Sequence, residues 1–66
     1  MTQFDIETIL ALADNDMSVG RAAKKMYVHR NTVVYRIAKI RDETGLNAKC
    51  FHDLVKLVKM AEEERE

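Results

Sequence analysis

His29-Arg30-Asn31-Thr32-Val33-Val34-Tyr35-Arg36 is the stretch of this 66-residue sequence richest in side chains with directional hydrogen-bonding chemistry. An arginine can donate two bonds to the edge of a guanine, and an asparagine can exchange two with an adenine. The hydroxyls of Ser18, Thr32 and Tyr35 are of the kind that fix a polynucleotide backbone in register. If a helix opens at His29 or Arg30, its free N–H groups and positive dipole end also suit a phosphate. The pattern points to base edges read by the first turns of that helix. His29, Arg30, Asn31, Thr32, Tyr35, Arg36 and Lys39 are the candidate contacts, with Ser18 and Arg21 beside them.

The charges agree with this reading although the formal net charge is zero. Up to Asp16 the charged residues are all acids, namely Asp5, Glu7, Asp14 and Asp16. From Met17 to Arg41 they are all bases: Arg21, Lys24, Lys25, Arg30, Arg36, Lys39 and Arg41. Acids return afterwards and dominate the end, at Glu62, Glu63, Glu64 and Glu66. An uninterrupted basic block is the footprint of a surface that neutralises phosphates. A solvated basic face without a partner would look the same in composition alone.

Other chemistry finds little support. Cys50 and His52 on one short segment cannot close a tetrahedral zinc site without further ligands. Asp53 or Glu43 as catalytic acids would need a substrate pocket that so small a chain does not offer. The expectation is therefore no enzyme, no metal and no cofactor. No apolar run approaches the roughly 20 residues that span a membrane, and nothing resembles a signal peptide. The lone Cys50 permits no internal disulfide, which fits a reducing cytoplasm.

The elements that must position these side chains are four helices. Ile6, Ile9, Leu10 and Ala13 form one stripe of a helix over about 5–13, with Asp5 as its cap and Phe4 stapled against Ile9. Asp14-Asn15-Asp16 reads as a turn. Ser18 caps a second helix over 19–26, whose inner face is Val19, Ala22, Ala23 and Met26. The paired alanines allow a close helix crossing, and Val28 plugs the corner. A third helix over 30–44 buries Val33, Ile37, Ile40 and Thr44, and Gly45 with Leu46 ends it. A fourth over 51–63 has apolar positions at Phe51, Leu54, Val55, Leu57, Val58 and Ala61, an arc wider than one core face needs. Residues 62–66 read as a frayed acidic tail.

With these residues in place, the run AAKKMYVHRNTVVYRIAKIRDETGL resembles the C-terminal helix-turn-helix domain of PucR-type and CdaR-type bacterial transcription regulators, and the wider fold resembles that of Fis. The likeness extends from about Thr8 to Lys59, and HRNT followed by YR and TGL is its specific part. The resemblance implies a single all-α, four-helix domain with a recognition helix starting near His29. It also implies double-stranded DNA as partner, a role in transcription regulation, and action at the cytoplasmic nucleoid. Such domains usually end longer chains that carry sensory regions. Val34 departs from the family's usual basic or polar residue, and Cys50 replaces its usual Asp or Asn cap. Lys24-Lys25-Met26 is more basic than the usual filling. A homodimer through Leu54, Leu57, Val58 and Ala61 is expected, because helix-turn-helix proteins commonly pair. The competing class is a helical interaction module that uses its last helix and binds no DNA.

Overall fold

A computed structural model describes residues 1–65, and Glu66 lies outside them. The chain folds as α1 (Gln3–Asp14), α2 (Val19–Met26), α3 (Arg30–Thr44) and α4 (Phe51–Arg65), with no strand among the described residues. The architecture is all-α, as the sequence implies. Helix α1 is the hub: it packs against α2, α3 and α4, and α2 packs against α3. Among the described residues α4 has no such interface with α2 or α3.

The start of α1 differs from expectation. Thr2 is the cap, and Asp5 is the third helical residue. Thr2 Oγ1 accepts from the Asp5 N–H at 3.1 Å while the Thr2 N–H donates to Asp5 Oδ2 at 3.1 Å. This reciprocal pair is a capping box, and it moves the helix start upstream. Phe4 is therefore inside the first turn and is no staple before it. The buried face of α1 comprises Asp5, Ile6, Thr8, Ile9, Ala11 and Leu12, whereas Ala13 is exposed and Leu10 half-buried.

The α1–α2 turn takes two consecutive left-handed residues, Asp16 (φ 57°) and Met17 (φ 62°). The Met17 N–H donates to Leu12 O at 2.7 Å, and the Lys49 ammonium donates to Met17 O from the α3–α4 loop. Ser18 then caps α2, its hydroxyl accepting from the Arg21 N–H at 3.2 Å. Ala22 and Ala23 are buried, which lets α1 and α3 close on α2 with little side chain between backbones. Helix α2 stops at Tyr27, left-handed at φ 60°, and the Val28 N–H reaches back to Ala23 O at 3.0 Å. That is the bond pattern of a Schellman stop, with half-buried Val28 packed on the core behind it.

His29 caps α3, and Val33 and Ile40 form its fully buried stripe. Ile37 and Thr44 are half-buried, and the Thr44 hydroxyl donates to Ile40 O at 2.7 Å. Gly45 ends α3 in the left-handed region (φ 78°), donating its N–H to Arg41 O at 2.8 Å, and Leu46 packs on the core.

Helix α4 continues through residues 62–65, past the expected helix end at 63, and Glu66 of the expected tail lies outside the described residues. Glu64 accepts a bond from the Met1 amino group at 2.9 Å, which places the end of α4 beside the start of α1. Leu54, Leu57 and Ala61 are buried in the core.

A Cβ built on Gly45 meets nothing within 4 Å, so only the backbone objects to a side chain there. Gly45→Ala is expected to lower stability by about 1 kcal/mol in urea unfolding, through left-handed strain alone. An unchanged midpoint would show that the stop does not need glycine.

Candidate nucleic-acid interface

Helix α3 divides its fifteen residues into three faces. Val33, Ile37 and Ile40 point to the core, and Arg36, Lys39 and Glu43 lie on the flank toward α1. The outer face carries Arg30, Asn31, Val34, Tyr35, Ala38 and Arg41, all exposed. Their spacing of three and four residues is that of a single helical ridge. Val34 stands half exposed (50%) at its centre, with Tyr35 at 63%.

His29 sets the start of this ridge. Its Nδ1 accepts a hydrogen bond from the Asn31 N–H at 3.0 Å, so the ring replaces the oxygen of an ordinary cap.

Two of the expected contact residues face inward. Arg36 Nη1 lies 3.6 Å from Asp5 Oδ1, and the Arg36 guanidinium sits 4.3 Å above the Phe4 ring. Lys39 Nζ donates to Asp5 Oδ2 at 3.2 Å and pairs with Glu43 Oε2 at 3.2 Å. Asp5 itself is fully buried. Burial pushes its carboxyl up, but the hydrogen bonds from the Thr2 backbone N–H and Lys39 outweigh this and hold it below its ordinary value. Lys39 is held above its ordinary value by Glu43 first and Asp5 second. Arg36 and Lys39 thus spend their charge on the angle between α1 and α3 rather than on the outer ridge.

The remaining candidates are dispersed. Thr32 is half-buried, and the Ser18 hydroxyl is engaged as the α2 cap. Arg21 is exposed and approaches Asp16 Oδ2 at 3.4 Å. Sequence reasoning gave no contact role to Val34, Ala38 or Tyr27. Projecting a helix from Arg30 at 3.6 residues per turn would have put Val34 and Ala38 on the same face as Arg30 and Asn31. Among the described residues no group of His, Cys, Asp and Glu could hold a metal ion, and no helix is long and apolar enough to cross a membrane.

The expected dimer surface does not exist as drawn, because Leu54, Leu57 and Ala61 are core residues buried beneath α4. What α4 exposes instead is Phe51 and Val55, beside half-buried Val58.

Two substitutions test this geometry. Asp5→Asn is expected to cost about 2 kcal/mol, below the range for a fully buried pair because Arg36 and Lys39 keep some solvent. The native carboxyl titrates below the unfolded one. Its contribution is therefore complete above the ordinary carboxylate range and is lost as pH falls through the native value. Acid titration of stability in parent and variant should converge at the low end. His29→Ala should lose about 1 kcal/mol, while His29→Asn, which can still cap, should stay within about 0.5 kcal/mol of the parent.

Comparison with known proteins places this geometry. Residues 6–59 match the family model of the PucR C-terminal helix-turn-helix domain. The chain is 36% identical over 45 residues to the uncharacterized protein YxkF of Bacillus subtilis (strain 168), covering 68% of this chain and 15% of that protein. It is 34% identical over 44 residues to the purine catabolism regulatory protein of the same organism, covering 67% of this chain and 8% of that protein. The chain thus spans only a small part of the length of these curated relatives. No solved structure matches it. The buried core of α1–α3, the capped corner before Arg30 and the extent of the match agree: the chain belongs to the PucR C-terminal helix-turn-helix domain family.

Proposed function

We propose that this domain binds double-stranded DNA in transcription regulation, with the outer ridge of α3 in the major groove. The observation that carries the reading is the composition of that ridge. Arg30 and Asn31 stand exposed in the first turn, followed by Val34, Tyr35 and Ala38, with Arg41 further along. A helix with its side chains is about 10–12 Å across, and the major groove about 12 Å wide, so such a face can meet base edges directly.

The roles follow from chemistry. Arg30 suits a guanine edge and Asn31 an adenine edge. Val34 is apolar, and at the centre of a reading face it suits the methyl group of thymine. Ala38 keeps the ridge low, so the helix can enter deeply. His29, through its ring, and Tyr35, through its hydroxyl, suit the sugar-phosphate backbone. Arg36 and Lys39 are positioning residues that hold α3 through Asp5. The name of one relative, a purine catabolism regulatory protein, supports a regulatory role of this class. A regulator acting on the bacterial chromosome works in the cytoplasm.

Arg30→Ala and Asn31→Ala are each expected to cost about 1–3 kcal/mol of affinity at the preferred site and to relax preference at one base pair. Both side chains are exposed, so stability should change by no more than about 0.5 kcal/mol. The preferred duplex comes from selection out of a random pool, and affinity is read by fluorescence anisotropy. If both variants bind like the parent, α3 does not read the bases.

A further inference from the structure

Tyr27 is the residue whose presence the fold explains least. It ends α2 at φ 60° and ψ 40°, a conformation that glycine adopts freely and that a bulky side chain strains. Packing does not compensate, because the residue is 96% exposed. Glycine would complete the same backbone stop without strain and without an aromatic ring in water.

The ring borders a surface concavity of about 500 Å³, lined by Asn15, Arg21, Lys24, Lys25 and Tyr27. Three cations and a phenol thus share one depression, and among the described residues no carboxylate lines it. Asp16 meets Arg21 at 3.4 Å with both side chains largely in solvent, a pairing that contributes little. Asn15 is part of the wall rather than a free donor, since its amide already donates to Ala11 O at 2.8 Å. The location also matters. Tyr27 precedes the α3 cap His29 by two residues, so its Cα lies within about 7 Å of the point where the reading helix begins.

We propose that Tyr27, Lys24, Lys25 and Arg21 form a second contact site, which takes the sugar-phosphate backbone of duplex DNA beside the groove that α3 enters. This rests on the DNA-binding reading above and extends it to α2. The Tyr27 hydroxyl donates to a phosphate oxygen, and the two lysines with Arg21 neutralise neighbouring phosphates. Such contacts fix register and carry no base information. The strained backbone at Tyr27 is then kept for the contact its ring makes outside the fold.

The test uses the 66-residue chain with a selected duplex and a mixed-sequence duplex across a series of salt concentrations. Tyr27→Gly is expected to unfold at higher urea than the parent and to bind both duplexes about fivefold more weakly, the worth of one hydrogen bond. Lys24→Ala with Lys25→Ala should make the logarithmic salt slope shallower by about 1.8, as loss of two phosphate contacts requires. A Tyr27→Gly protein that binds both duplexes like the parent overturns the proposal and leaves the α3 reading standing. A loss confined to the selected duplex overturns it too, since it would mark base reading. A Tyr27→Gly protein less stable than the parent would show that the ring serves the fold, with the same consequence. Absence of duplex binding by the parent at low salt overturns both readings together.

Discussion

Asp5 gives up all contact with water, and its carboxylate is spent on joining two helices that begin far apart in the chain. It takes a hydrogen bond from the Thr2 N–H and another from Lys39 Nζ, 34 residues away, while Arg36 stands opposite its other oxygen. Removing a carboxylate from water costs several kcal/mol, and only several good partners offset it. That constraint fixes the flank of α3 against the first turn of α1. With Val33 and Ile40 in the core, the rotation of α3 about its own axis is then set. The ridge from Arg30 to Arg41 points outward as a consequence.

The same interaction explains why the basic block cannot be read as one surface. The chain sorts acids before Met17 from bases up to Arg41. One acid of the first group is taken inside, and it takes two bases of the second group with it. The cations left outside are Arg21, Lys24, Lys25, Arg30 and Arg41, on α2 and on the outer ridge of α3. In a domain this small, where total stability is of the order of 5–10 kcal/mol, a clamp of this kind is a large share of what holds the working helix.

Apart from the stop at Tyr27, the caps and close packing of α2 and α3 were legible, because their signals are local. Ser18 is a cap by side-chain chemistry, Ala22 and Ala23 are small where a neighbour must approach, and Gly45 is where the chain needs a positive φ. What was not legible depends on contacts distant in sequence. Asp5 looks like a cap until Thr2 is seen to hold its N–H, and nothing local tells Arg36 or Lys39 that its partner lies in α1. On α4 six apolar positions exceed one face, and only packing on α1 decides between them. It buries Leu54, Leu57 and Ala61 and leaves Phe51 and Val55 outside, the reverse of a free Leu54–Ala61 surface. Tyr27 carries no local signal of its role. Its strain and exposure became visible only with the backbone angles.

The account stands or falls on which surface meets DNA, and amide chemical-shift mapping during titration with a selected duplex tests this most directly. The account predicts the largest changes at Arg30, Asn31, Val34, Tyr35 and Ala38, with Asp5 and the exposed face of α4 around Val55 little moved. Large changes along Phe51 to Val58, with the α3 ridge unmoved, would contradict it.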